Sequence, residues 1–442
     1  MLYKSLNKIS KKVNFETAVK KGLADDGGLY FPENIKPLSN NFYQKITEKS
    51  NHQIAFEVIN QFIGDSIDKN NIDKIIKNTL TFDFPLIKIK KNIRVVELYH
   101  GPTLAFKDVG AKFMANCLNY FNQKNKYNST ILVATSGDTG AAVANGFLGV
   151  DGTHVVILYP RGRVSEIQEK QLTTNKKNIL AFEVDGTFDD CQKMVKKAFL
   201  DKDFTKLLNL TSANSINVAR WLPQSFYYFF AYKEFLKENN NKDLSISVPS
   251  GNFGNICAGI ISTKLGLPIN HFIASTNIND TVPKYLKTGK YSPKSSIRTI
   301  SNAMDVGEPS NFVRILEIFN NDFKKLKNFF SSYSFNDTQT LEAITNVYNR
   351  HNYILDPHGA VGYLGLKKYL NKNLNSTGIF FETAHPIKFS EDVEKSIGVK
   401  LKRPKLIKEL IKKNKNSIRI KNYNEFKNEL LDISQKNNFQ VD

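Results

Sequence analysis

The 442-residue sequence predicts an α/β protein built on open, mostly parallel sheets flanked by helices. Three observations carry that prediction. From Thr130 onward, short β-branched runs alternate with helical patterns. Small loops of Ser, Gly, Thr and Asn stand where several of those runs end, the position at which parallel sheets gather ligands. The chain is also longer than one ordinary domain, so two or three are expected.

The first eighty or so residues read as an irregular start with a turn-rich segment, Asp25 to Pro32, followed by helices over Gln53–Phe62 and Ile72–Leu80. A strand over Thr130–Thr135 leads into the loop Ser136–Gly140 and an Ala-rich helix ending at Leu148. Strands follow at His154–Tyr159 and Ile179–Val184; Asp185–Asp190 is turn and cap for a helix ending at Leu200. Phe226–Tyr232 reads as a buried helix, and Leu244–Val248, His271–Thr276 and Gly378–Glu382 as buried strands. Asn239–Asp243 reads as a solvated connector. The Lys/Asn-rich tail keeps apolar spacing at Leu406, Leu410 and Ile411, which predicts a surface helix.

Composition excludes several classes. No apolar run reaches the ~18–20 residues of a membrane span, and the basic amino terminus lacks an apolar signal core. Cys117, Cys191 and Cys257 are too widely spaced for a disulfide framework or a zinc pattern, which fits a reducing cytoplasm. No metal site is expected. The net charge of +20 comes from 53 Lys and 9 Arg scattered through the chain, as codon bias in an AT-rich genome would produce. A solvated basic surface is expected rather than a nucleic-acid partner.

Two segments carry chemistry. Lys107 follows the turn residues His100 to Thr103 and the apolar Leu104, Ala105 and Phe106. Desolvation lowers a lysine's hold on its proton and makes its amine a usable nucleophile. Farther on, the strand pattern at Ser247 ends in Ser250, Gly251, Asn252, Phe253, Gly254 and Asn255, which open a helix. Such a strand–loop–helix turn offers backbone N–H groups and a positive dipole end to a phosphate. An amine-bearing lysine and a phosphate cradle point together to pyridoxal 5'-phosphate.

Three further segments stand in matching order and spacing: Ala134–Val143, Asn214–Gln224 and Glu382–Phe389. From Asp25 to at least Phe389 the sequence closely resembles the threonine synthases, pyridoxal-phosphate enzymes of fold type II. The resemblance implies conversion of O-phosphohomoserine and water to L-threonine and phosphate, the last step of threonine biosynthesis. It implies that Lys107 carries the cofactor and serves as the base at the substrate's Cα, and that Gly251, Asn252, Phe253, Gly254 and Asn255 hold the cofactor phosphate. Thr383 matches the position whose hydroxyl meets the pyridine nitrogen. Ser136, Gly137 and Thr139 are expected at the substrate carboxylate, with Asp138 capping the helix. Asn214, Ser215 and Arg220 are candidates for the substrate phosphate, with Arg161 and Arg163 behind them. His100 and His385 are possible proton relays that receive no catalytic assignment.

The expected division is an N-terminal largely helical domain over 1–85, a large cofactor-binding domain over 86–128 and 222–442, and a small mobile substrate-binding domain over 129–221. A monomer or homodimer in the cytoplasm is expected. The opening departs from the family: Ser5 to Lys8 stand where a Ser-Thr-Arg-Gly-like run is common. Two rival readings remain. One is a related dehydratase or phospholyase that releases a 2-oxo acid, and the other a basic nucleic-acid binder without catalysis.

Overall fold

The computed structural model describes residues 1–175, 177–238 and 243–436. Most of the expected connector at Asn239–Asp243 lies outside the described residues. Thirteen strands occur among the described residues: β1 (Tyr3–Ser5), β2 (Tyr30–Pro32), β3 (Leu86–Lys90), β4 (Ile93–Glu97), β5 (Ser129–Ala134), β6 (Thr153–Pro160), β7 (Ile179–Val184), β8 (Leu210–Ser212), β9 (Asp243–Pro249), β10 (His271–Thr276), β11 (Phe330–Ser334), β12 (Ser376–Glu382) and β13 (Ile418–Ile420). The chain separates into two compact units.

One unit comprises Met1, Pro32–Phe106 and Trp221–Lys402. Its sheet has the order β11-β10-β9-β12-β4-β3, and every pairing is parallel except β3 with β4. The strands β9, β12 and β4 are neighbours, so the loops leaving their carboxyl ends emerge side by side. Strand residues such as Ile246, Val248, Phe380 and Phe381 are fully buried, because helices cover a parallel sheet on both faces. The expected buried helix is Phe226–Lys237, with Phe226 to Phe230 inaccessible to solvent.

The other unit comprises Leu2–Phe31, Lys107–Arg220 and Arg403–Asp442. Its all-parallel sheet has the order β13-β7-β6-β5-β8. The Phe15–Lys21 helix joins it because the Val19 carbonyl accepts from Thr211 Oγ1 at 3.0 Å and Asn217 Nδ2 at 2.8 Å. This contact-defined division cuts the chain at other places than the three expected domains, and residues 1–85 contribute to both units.

Local chemistry explains the elements. Thr187 caps the Phe188–Leu200 helix in a reciprocal box with Asp190, at 3.2 Å and 2.9 Å. In the tail helix Lys405–Ile411 the expected Leu410 and Ile411 are half-buried, but the fully buried residue is Ile407, and Leu406 is about half exposed. All three cysteines are buried and free. Among the described residues no helix is long and apolar enough to cross a membrane, and no His/Cys/Asp/Glu group could hold a metal ion. Replacing Thr187 by Ala removes the hydroxyl that Asp190 N–H uses and is expected to cost about 1 kcal/mol. The check is a lower urea-unfolding midpoint, and an unchanged midpoint contradicts it.

Candidate active site

The turn before Lys107 is knitted to the segment after β12. Leu104 N–H donates to Gly101 O at 3.0 Å, closing the turn, and Leu104 itself is left-handed with φ of 59°. A branched residue pays roughly 1–2 kcal/mol for that conformation. It holds because its neighbours are pinned: Ala105 bridges Ala384, Phe106 N–H donates to Thr383 O at 2.9 Å, and His385 N–H donates to Leu104 O at 3.0 Å. Buried Lys388 adds a bond from Nζ to Thr103 O at 3.0 Å. The next residue, Lys107, opens the Lys107–Asn125 helix and is half-buried.

The loop after β9 is fixed by close packing. Gly251 packs so closely that an added Cβ would lie 2.8 Å from Ala303 O and Met304 Cα. Phe253 is left-handed, with φ of 60°, and the Gly254–Lys264 helix starts behind it without a side-chain cap. Among the described residues no acceptor takes the N–H groups of Asn252, Phe253, Gly254 or Asn255. Buried Asn255 accepts from Tyr228 OH through Oδ1 at 2.7 Å, and its Nδ2 has no partner. Buried donors that go unmet are costly, so this loop fits a phosphate. Thr383 is 5% exposed, and its hydroxyl has no partner among the described residues, which fits a polar ring atom. The residues present thus fit pyridoxal phosphate.

The remaining expected residues lie in the unit that begins at Lys107. Thr135 Oγ1 accepts from Gly137 N at 2.9 Å and Gly140 N at 2.8 Å, shaping the turn before the Asp138–Phe147 helix. Ser136 and Thr139 are half-buried there. Asp138 does not occupy the expected capping position. Gly137 is the N-cap residue, and the Asp138 carboxylate accepts from Gln168 Nε2 at 2.9 Å, drawn away by that amide. Asn214 brackets Ala134 with both ends of its amide, at 2.8 and 3.2 Å. Arg220 is buried, with Nε on Ala213 O at 2.7 Å and Nη1 on Lys107 O at 3.0 Å. Ser215 is half-buried beside Asn214. Arg161 pairs with Asp185 at 3.4 Å on the surface. The divergent amino terminus wraps Asp26: Ser5 Oγ and the amides of Gly28, Ser10 and Ile9 all donate to it.

Charged groups that sequence reading passed over sit below the strand ends. Glu97 and Glu382 are register partners on β4 and β12. Burial works against charge on Glu97, but bonds from His100, Tyr99 and Tyr353 prevail and hold it below the usual carboxylate range. Burial pushes Glu382 well up, and the Asp356 carboxylate adds to it. Asp356 caps the Pro357–Leu370 helix and binds His358 Nδ1, while His358 Nε2 accepts from Ala303 N–H at 3.2 Å. The Asp-Pro pair was the available sequence signal for that cap.

The loop's fit to a cofactor phosphate agrees with the class that the family shows: the model for "Pyridoxal-phosphate dependent enzyme" matches residues 73–379. Models for "Threonine synthase N terminus" and "Threonine synthase, C-terminal" match residues 2–80 and 359–429. The chain is 46% identical to threonine synthase of Buchnera aphidicola subsp. Acyrthosiphon pisum over 404 residues, 90% of this chain and 92% of the relative. The crystal structure of threonine synthase from Escherichia coli superposes with a TM-score of 0.93 at 38% identity, covering 98% of this chain and all of that one. Pyridoxal-phosphate-bound threonine synthase from Brucella melitensis gives 0.90 at 32% identity, covering 97% and 98%. The chain belongs to the threonine synthase family, and the fold class and cofactor expected from sequence hold.

His385 offers a test of the packing here. Its Nδ1 accepts from Ile387 N–H at 3.0 Å, and burial, with His100 adding to it, lowers it from 6.5 to about 4. As pH falls through 6.5 the unfolded chain takes up a proton that the folded chain refuses until about 4, so stability drops across that window. His385→Asn, which can still accept from Ile387, is expected to flatten that loss by up to about 3 kcal/mol. Urea unfolding at pH 7 and pH 4.5 (about one proton's difference in slope) checks it; equal slopes contradict it.

Proposed function

We propose that this chain converts O-phosphohomoserine and water to L-threonine and inorganic phosphate, with Lys107 as the attachment point of pyridoxal phosphate. The observation that carries the reading is the likeness to threonine synthases over 90% of the chain. When bound, the cofactor supplies an electron sink for negative charge developing at the substrate's Cα and Cβ. The protein's own groups do the rest.

The amine of Lys107, free while substrate is bound, would take the Cα proton and one Cβ proton, and would return protons to Cγ as the γ-phosphate leaves and to Cα as water adds at Cβ. The amides of Gly251 to Asn255 would hold the cofactor phosphate. The Thr383 hydroxyl would hold the pyridine nitrogen, and as a neutral partner it would favour that nitrogen's protonation less than a carboxylate. Ser136, Gly137 and Thr139 receive the substrate carboxylate at a helix start. Asn214, Ser215 and Arg220 form the strip assigned to the substrate phosphate. Within it, the bonds of Asn214 to Ala134 and of Arg220 to Lys107 O favour a positioning share for those two. The domain over 129–221 is the part we assign to substrate binding and to excluding water.

The competing 2-oxo-acid-releasing reading needs no water at Cβ, and the likeness to threonine synthases over 90% of the chain favours the hydration. Borohydride reduction of cofactor-loaded protein, followed by peptide mapping, is expected to mark Lys107 alone. Lys107→Ala is expected to lose that mark and to slow threonine formation by about a thousandfold or more. Label elsewhere, or steady turnover by the variant, overturns the assignment.

A further inference from the structure

The left-handed turn at Phe253 is held from behind by one helix start. The Asn252 carbonyl accepts two bonds from Asn311, from the backbone N at 3.2 Å and from Nδ2 at 3.1 Å. The Asn252 side chain is held as well: Ser310 N and Oγ lie 3.4 and 3.3 Å from its Oδ1. The Phe253 ring meets Phe312 edge-on, with centroids 5.8 Å apart. Asn311 in turn is fixed by Arg314, whose Nη1 donates to Asn311 Oδ1 at 2.6 Å. Arg314 is wholly buried, its guanidinium 4.3 Å over the Trp221 ring.

The geometry has a direct consequence. In a trans peptide the C=O of one residue and the N–H of the next point to opposite sides. Pinning Asn252 O toward Asn311 therefore turns the unclaimed Phe253 N–H the other way. A non-glycine residue in the left-handed region persists only where its surroundings over-determine it, and here Ser310, Asn311 and Phe312 do so.

From this we infer that Asn311, braced by Arg314, is a positioning residue that sets the phosphate-binding conformation of the Asn252–Phe253 peptide before the cofactor arrives. The inference rests on the reading of Gly251–Asn255 as the phosphate cradle. It concerns how tightly the cofactor phosphate is gripped, a property separable from turnover at saturating cofactor.

The test uses Asn311→Asp in the full chain. The carboxylate keeps a charge-assisted bond to Arg314, so the packing survives, but an oxygen replaces the Nδ2 donor facing Asn252 O. Apoprotein is titrated with pyridoxal phosphate and with pyridoxal, which lacks the phosphate, following cofactor absorbance, and the unfolding midpoint of each apoprotein is recorded. Wild type is expected to prefer pyridoxal phosphate strongly. The variant is expected to weaken pyridoxal phosphate about tenfold or more while leaving pyridoxal unchanged. Ser310→Ala, a milder change on the same loop, is expected to shift the same ratio less, and it carries the test if the aspartate variant does not fold. An unchanged ratio in folded variants overturns the positioning role alone. Equal affinity of wild type for the two ligands overturns the cradle and the positioning role together.

Discussion

The structure around the candidate site depends on a short antiparallel bridge between Ala105 and Ala384. Two flanking hydrogen bonds, Phe106 to Thr383 and His385 to Leu104, make it a two-sided clasp. The clasp keeps Leu104 in a left-handed conformation that it would not hold alone, and so it fixes the direction in which the chain enters Lys107. It also fixes Thr383, whose carbonyl is used in the clasp while its hydroxyl is left open. One local contact therefore sets both the approach to the amine and the residue assigned to the cofactor ring. Sheet order explains why such a clasp can form, since β4 and β12 are parallel neighbours whose exit loops run side by side.

Beneath the clasp, two carboxyls at the same sheet level are driven apart in character. Glu97 is surrounded by donors and stays ionised; Glu382 is enclosed and held toward its protonated form by burial and the Asp356 charge. Two adjacent buried negative charges would be costly, and this division avoids them. Asp356 and His358 extend the polar layer to Ala303, whose carbonyl lies where a side chain at Gly251 would intrude. Gly251 thus needs its missing Cβ for contact with the loop behind it. The same economy of space recurs at Gly359, where an added Cβ would fall on Glu382.

Much of this was legible in the sequence because local chemistry dictates it. The strands Ile179–Val184 and His271–Thr276 stand where their apolar runs placed them, and the turn and cap expected over Asp185–Asp190 hold the start of the helix ending at Leu200. The loop at Ser250–Asn255 could be any tight strand-to-helix turn when read alone, and it became legible beside the Lys107 segment. What escaped depends on tertiary context. The strands β4 and β11 lack a strong periodic signal, and residues 2–31 join the unit of Lys107 through contacts between distant residues, such as the Val19 carbonyl with Thr211 and Asn217 and the Phe15 ring with Phe121. Asn214 and Arg220 drew attention as phosphate ligands by residue type, while their backbone partners Ala134, Ala213 and Lys107 are visible only in three dimensions. The network of Glu97, Glu382, Asp356 and His358 joins residues far apart in sequence, so no spacing rule could assemble it.

The central claim is the reaction itself. Purified protein loaded with pyridoxal phosphate should be given O-phosphohomoserine, and amino acids, 2-oxo acids and inorganic phosphate should be quantified in the same samples. Threonine and phosphate formed in equal amounts, without 2-oxobutyrate, is the predicted result. Phosphate accompanied by 2-oxobutyrate instead of threonine would contradict the hydration at Cβ and move this chain's chemistry to phosphate elimination.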